Sequence, residues 1–429
     1  MNLRKIEKNI VPALLVRSLG ALSGLVMSFG LAKWLSIDDV GTFFTLLTVL
    51  TLLGTASTLG FNVGVMKSIS EYYADNDFKG ISNIFWFGFF VITCSSIFFS
   101  VTLYFSSEFL SIRLFGNSAL NNLLIIISTV IPFFALITYI SHAFQGVRRF
   151  LLALTLQRII FPFLVVLYVG FSVYFEREVT ISNALDGIVA AVIITFCLGV
   201  SVWLFKVKFP SRWNFKIHLN IYKIAGPLWI VMVANLLNSW SGILISSILF
   251  DSYYVALYSV AARLSLISTI ALEAVNMVVA PLFSEAHKNS KVSELKKISV
   301  LSVRYLLLIS LPVLVFFIMF SGDLLSIFGS DFKEAENVLR VLAVGQFFNA
   351  VTGSVSFLLI MTGGAAKVMK ASVLCAIITI ITAIVFGNLF GIYGVALGCA
   401  FGLVSQNVIL VLSVKNQLGF NTLDIFNKN

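Results

Sequence analysis

Arg263 and Glu273 stand ten positions apart inside "AARLSLISTIALEAVNM" (261 to 277), a stretch that otherwise reads as one apolar helix with no polar loop to shelter a charge. On a continuous helix ten residues turn the two side chains by ~80°, so they cannot pair with each other directly. Each therefore needs a partner on a neighbouring helix, or water. Four more arginines, Arg17, Arg158, Arg304 and Arg340, fall within or at the ends of similar apolar stretches. A guanidinium at the centre of a membrane helix costs about 2.5 to 3.5 kcal/mol on insertion scales, and such groups usually mark a pathway or an interior pair. Taken singly each arginine could fix helix packing; taken as a set they predict a water-filled cationic cavity suited to an anion.

Neutral polar residues extend that reading. Thr48, Thr51, Thr55, Thr58 and Asn62 recur at spacings of 3, 4, 3 and 4, which aligns them on one helix face. Ser265, Thr269, Glu273 and Asn276 make a similar face around Arg263, and "ANLLNSWSG" adds Asn235, Asn238 and Ser239. The competing explanation for any one of them is an interhelical hydrogen bond worth about 0.6 kcal/mol.

These groups must be held by membrane-spanning helices. Of the 429 residues 59% are hydrophobic and 11% charged, and the mean hydropathy is +1.01. Such a composition excludes a water-facing globule. Apolar stretches run over 11–35, 41–64, 81–106, 119–145, 155–175, 182–205, 221–249, 253–283, 299–321, 335–362, 369–389 and 391–414, each near the ~20 residues a crossing needs. The fold expected is an all-α integral membrane protein of about twelve helices. The first stretch is longer than a signal-peptide core and lacks a small-residue cleavage pattern, so it reads as a retained span.

Charge orients the spans. Lys67, Lys79, Arg148, Arg149, the basic residues of 206–223, Lys288, Lys291, Lys296, Lys297, Lys367 and Lys370 fall in alternate loops, whereas the intervening loops hold most of the acids. The basic loops and both termini are thereby expected on the cytoplasmic side. The net charge of +10 follows from topology; the basic residues form no aromatic-interleaved groove for nucleic acid.

The polar connector "KVKFPSRWNFKIHLNIYK" (206 to 223) sits near the midpoint, predicting lobes at 1–206 and 221–429 with a linker at 207–220. Ser70 and Glu71 recur 214 positions on as Ser284 and Glu285, Phe115 recurs after 213 as Phe328, and Pro12 after 215 as Pro227. Three pairs at nearly one offset imply two related six-helix bundles. An even number of spans per half makes the repeats parallel, with a central cavity between their equivalent walls.

Several chemistries find no support. Cys94, Cys197, Cys375 and Cys399 show no metal-ligand spacing and read as small buried hydrophobes; the three histidines are scattered; no metal or cofactor is expected. "TGGAAKVMK" lacks the phosphate-loop pattern. The outer loops, 107–118 and 322–334, carry no paired carboxylates or histidine for an enzyme such as a glycan polymerase or ligase. Gly20 with Gly24, Gly60 with Gly64, and Gly394, Gly398 and Gly402 are expected at helix contacts.

Nearly end to end, the chain resembles the multidrug, oligosaccharidyl-lipid and polysaccharide exporter superfamily, and within it the polysaccharide transport family that includes O-antigen flippases. "LSIDDVGTFFTLL" through "SISEYYADND" carries the likeness in the first half; "DSYYVALYSVAARLSLI", "APLFSEAHKNS" and "LLSIFGSDFKEAENVLRVLAVGQFFNAVTG" carry it in the second. The resemblance implies a flippase, not an enzyme. It would move an undecaprenyl diphosphate-linked oligosaccharide, such as an O-antigen or similar lipopolysaccharide unit, across the bacterial cytoplasmic (inner) membrane by alternating access. Arg17 and Arg263 are then the first candidates for the diphosphate, with Arg158 and Arg304 nearer the cytoplasmic side. Thr48, Thr55, Asn62, Asn235 and Asn238 would meet the sugar. Glu273, the only acid well inside a span, is the candidate for coupling to a proton or sodium gradient. Expected partners are the lipid-linked oligosaccharide, membrane lipids and polysaccharide assembly proteins. The alternative, a cation-coupled multidrug antiporter of the same superfamily, would call for acidic cavity walls where the first span carries Arg17.

Overall fold

In the computed structural model, residues 3–176, 179–206 and 220–424 are described, with side chains over 18–175, 179–205, 225–280 and 282–424. The described residues are helical, with no strands among them. In order, the first half contains α1 (Leu3–Trp34), α2 (Ile37–Ala56), α3 (Phe61–Ala74), α4 (Phe78–Phe109), α5 (Leu120–Gly146), α6 (Phe150–Thr155), α7 (Phe161–Glu176) and α8 (Ile181–Lys206). The second contains α9 (Asn220–Leu249), α10 (Ser252–Ser265), α11 (Thr269–Lys288), α12 (Val292–Ser326), α13 (Glu336–Val351), α14 (Val355–Met361) and α15 (Ala365–Leu418).

Ten helical stretches among the described residues are long and apolar enough to cross a membrane. The last, α15, has 54 residues, about 81 Å of helix and far more than one bilayer requires. It folds back at Gly391, whose φ of 67° and ψ of −152° leave the helical region. The glycines beyond the bend make the hairpin possible. A Cβ on Gly398 would strike the Ala383 backbone and one on Gly402 the Thr379 side chain, and Thr382 Oγ1 donates to Gly398 O at 3.0 Å. This is the small-residue contact expected from "GVALGCAFG". Counting α15 twice and adding α1, the chain is a multi-pass membrane protein of twelve crossings.

The repeat is visible in backbone detail. After α3, Asp77 N donates to Tyr72 O (2.9 Å) around Asn76 at φ 55°; after α11, Lys291 N donates to Ala286 O (3.0 Å) around Ser290 at φ 56°. All these positions differ by 214. After α5, Arg149 N donates to Phe144 O (2.9 Å) around Arg148; after α14, Gly364 N donates to Leu359 O (2.6 Å) around Gly363. Here the offset is 215. Each turn places one residue in the left-handed region and closes a six-to-one bond over the helix end. The two halves therefore share helix ends as well as sequence matches at one offset.

The chain divides into two compact units within α9, Val11–Val233 forming one and Ala234–Asn429 the body of the other. The expected linker lies, apart from Asn220, outside the described residues. The core of the first unit centres on Phe85, stacked on Trp203 at 4.3 Å between centroids and bonded through its carbonyl to Tyr139 Oη at 2.6 Å. In the second, Phe283, Leu295, Val355, Leu358, Val368, Leu410, Val414 and neighbours make the corresponding packed cluster. Cys94 and Cys197, expected in the interior, are exposed on the helix surface: lipid-facing positions accept a thiol as readily as a core does.

Candidate functional site

In both halves the second apolar stretch is interrupted, and several of the predicted polar residues lie near the interruptions. In the first unit α2 ends at Ala56 and α3 begins at Phe61. Between them Leu59 (φ 49°) and Gly60 (φ 75°) both occupy the left-handed region, which for a leucine is strained by ~1 to 3 kcal/mol. The carbonyls released by the break are taken up by side chains: Trp229 Nε1 donates to Ala56 O at 2.7 Å, and Ser95 Oγ donates to Ser57 O. Thr58 Oγ1 lies 3.2 Å from Asn62 Oδ1, and Asn62 Nδ2 donates to Met232 Sδ at 3.6 Å. Gly60 is required twice over, by its φ and because a Cβ would strike Ala225 O. It is a bend glycine as well as the close helix contact its spacing suggested, here with α9.

The threonine stripe is uneven in exposure. Thr48, Thr58 and Asn62 are buried in the lobe, while Thr51 and Thr55 are half-buried. Thr48 Oγ1 donates to Phe44 O and Thr51 Oγ1 to Leu47 O, both at 2.7 Å. Their protons are spent on the helix, so toward a ligand these hydroxyls offer lone pairs.

In the second unit a 3₁₀ turn, Leu266–Ser268, separates α10 from α11. Residues 253–283 are thus two helices where periodicity predicted one, and the 80° separation of Arg263 from Glu273 does not apply. Arg263 falls in the last turn of α10, the end at which backbone carbonyls favour a cation. It is half-buried, as are Thr269, Glu273 and Asn276. The enclosed Asn276 Oδ1 accepts no hydrogen bond among the described residues. Ser265, Thr269 and Asn276 follow Thr51, Thr55 and Asn62 by 214 positions, and at the same offset Arg263 and Glu273 stand where the first half has Val49 and Leu59. A neutral polar frame is common to both halves; the charges are added to one.

The remaining predicted residues scatter. On α9, Asn235 is exposed and its carbonyl accepts from Ser239 Oγ at 2.9 Å. Asn238 is engaged in packing, donating to Ser372 O (3.3 Å) and Gln406 Oε1 (3.5 Å) and accepting from Thr379 Oγ1 (3.4 Å). Arg158 is exposed within a π turn, Leu156–Ile160. Gly20 of α1 packs on its Cβ, and Ser23 Oγ reaches Ile159 O at 3.3 Å. Arg304 is half-buried in α12. Arg340 pairs with Glu336 at 2.9 Å and donates to Ile318 O at 3.2 Å, a carbonyl beside the non-helical Phe320 of α12. The side chain of Arg17 lies outside the described residues.

Sequence reasoning missed Trp229 and Met232, which brace the first break, and the network in which Asn407 Nδ2 donates to Asn349 Oδ1 (3.1 Å) and Thr352 Oγ1 to Asn407 Oδ1 (2.9 Å). The polar pair in "LVSQNVIL" was a visible signal for the second; an aromatic residue near a span's start signals nothing by itself.

Comparison with known proteins places this geometry. The family model described as "Polysaccharide biosynthesis protein" matches residues 6–287, and a second, MatE, matches 229–385. Among curated proteins, a probable low-salt glycan biosynthesis flippase, Agl15 of Haloferax volcanii, is 22% identical over 236 residues, 53% of this chain. The chain spans about half (49%) of that relative's length. Among solved structures, an inward-facing multidrug resistance MATE family transporter of the MOP superfamily has a TM-score of 0.76 at 14% identity, over 96% of this chain and 98% of its own. The lipid II flippase MurJ, in an inward closed conformation, has 0.73 at 20% identity, over 94% and 87%. At these identities the structures establish the fold.

Proposed function

Since the chain belongs to the polysaccharide biosynthesis protein family, we propose that it is a flippase for a lipid-linked oligosaccharide, working by alternating access in a cellular membrane. The observation that carries this reading is the pair of broken second spans. The interruptions, at 57–60 and at 266–268, both fall in the second span of a half, though at different registers. Discontinuous helices are the usual location of a transporter's substrate site, because irregular backbone at membrane depth is tolerated where it lines a cavity. On that frame the second half adds Arg263, a planar bidentate donor matched to phosphate oxygens. The half-buried hydroxyls, Thr51, Thr55 and Thr269, offer lone pairs to sugar hydroxyls.

The finer reading is an undecaprenyl diphosphate carrier with an O-antigen-like glycan in a bacterial inner membrane, both termini cytoplasmic. On this reading Arg17 and Arg263 hold the diphosphate and Arg158 and Arg304 receive it. Glu273 takes the coupling proton or sodium ion. Asn235 is better placed than the buried Thr48 and Asn62 to touch a sugar, and Asn238 acts through packing. No nucleotide or metal is invoked, and the role is transport without catalysis.

The second reading, a cation-coupled multidrug antiporter, is favoured by the MatE match over 229–385 and by the likeness to a multidrug transporter. Reconstituted protein separates the two. A flippase exposes a lipid-linked glycan to an external lectin or glycosidase; an antiporter exchanges a lipophilic cation for protons and leaves the glycan where it was.

A further inference from the structure

The turns after α3 and α11 are the same backbone structure carrying opposite charge. In the first, Asp77 caps α4, its carboxylate accepting from Gly80 N at 2.9 Å, with Asp75 beside it. In the second, Lys291 stands at the position of Asp77, and α12 begins with no side-chain cap. A lysine there sacrifices the cap and sets a cation against the positive end of a 35-residue helix. Lys288, Lys296 and Lys297 gather around it, Lys288, Lys291 and Lys297 exposed. The ion pair of Lys291 with Glu294 at 3.3 Å has side chains 59% and 49% exposed, a geometry that contributes little. Val292, between the lysines, is 49% exposed although apolar. Topology accounts for basic residues in this loop but not for a lysine at the cap, since the other half makes the same turn with aspartates.

Because α11 and α12 are consecutive membrane-crossing elements, their connection must lie at a bilayer surface. We propose that this turn is a docking surface for anionic phospholipid headgroups of the leaflet it faces. Lys288, Lys291, Lys296 and Lys297 meet the phosphates, and Val292 dips into the interfacial region. Glu285 and Glu294 nearby leave the lysines in excess. Zwitterionic lipid would not complement that excess, whereas each basic side chain near an anionic surface strengthens association by roughly fivefold. The inference is independent of what the protein transports.

The test uses the full-length protein in phosphatidylcholine vesicles doped with spin-labelled phosphatidylglycerol or phosphatidylcholine, reading the lipid fraction immobilised on the protein. Wild type should select phosphatidylglycerol, and replacing all four lysines by glutamine should lower that selectivity at least about fivefold, as should high salt. Lys67→Gln with Lys79→Gln should leave it unchanged. Lys291→Asp restores the cap of the other half, so it should raise the unfolding temperature in detergent while lowering selectivity. Retained selectivity in the fourfold variant or in Lys291→Asp would overturn the proposal. So would displacement of the lipid by excess inorganic pyrophosphate, which would assign the lysines to a soluble anion.

Discussion

Leu59 and Glu273 occupy one position of a duplicated span, 214 residues apart. Leu59 is held in the left-handed region at the break between α2 and α3, and Glu273 lies in the helix that follows the break between α10 and α11. The first half spends this position on backbone geometry, the second on a charge. Arg263, the counterpart of Val49, differs in the same way. Charge is thus introduced into only one of two otherwise similar polar frames.

Glu273→Gln removes the charge and keeps the shape. If Glu273 carries the coupling ion, wild-type flipping accelerates under an imposed proton or sodium gradient, while the variant flips at one rate with or without it. The measurement is initial flipping rate in liposomes with each gradient set separately. An equal gradient response in both proteins would remove Glu273 from the coupling step.

Arg340 serves as the internal control for the arginines. Its ion pair with Glu336 and its bond to Ile318 O give it a packing role, so Arg340→Gln should flip normally. The exposed pair contributes at most about 1 kcal/mol, and the bond to the kinked α12 adds a comparable amount. A small drop in the detergent unfolding midpoint checks this.

Trp229→Phe deletes the indole donor and leaves Ala56 O without its 2.7 Å bond. Ala56 O keeps its 3.1 Å bond from Leu59 N, so the cost is that of one lost hydrogen bond, about 0.5 to 1.5 kcal/mol. In a lobe of this size that lowers the unfolding midpoint by a few degrees at most. Hydrogen exchange should increase first at 57–61. Uniform exchange across the lobe would show that the indole does not brace the break.

Much of this was legible in the sequence, for reasons that differ by element. The twelve crossings follow from apolar length alone, and the duplication from Ser70 and Ser284 or Pro12 and Pro227, because membrane helices leave long uninterrupted signals. The breaks were not legible. Leu59 is a poor left-handed residue, and 266–268 contains neither glycine nor proline; the first bend is braced by a distant partner, Trp229. Burial within a stripe was equally hidden. Thr48 and Thr55 share a face by spacing, yet one is buried and the other half-buried, since exposure depends on which neighbouring helix covers each turn. Arg340 looked like Arg263 by type and setting, and only the kink at Phe320 explains where it goes.

Gly398→Ala tests the hairpin that makes α15 two crossings. Its added methyl meets the Ala383 backbone, which cannot turn aside. Overpacking of this kind costs about 1 to 3 kcal/mol, so the variant should express poorly and unfold at a lower temperature in detergent. An unchanged unfolding midpoint would show that the hairpin tolerates a wider spacing.

The most direct measurement is leaflet accessibility of a polyprenyl diphosphate-linked oligosaccharide in liposomes containing the purified protein, with Arg263→Ala, Arg263→Lys and Arg340→Gln alongside. Losing a charge-assisted contact to phosphate corresponds to roughly 10- to 100-fold in rate. Arg263→Ala should fall by that amount, Arg263→Lys should recover part of it, and Arg340→Gln should match wild type. A wild-type protein that leaves the glycan lipid in its original leaflet while exchanging a cationic drug for protons would contradict the flippase assignment.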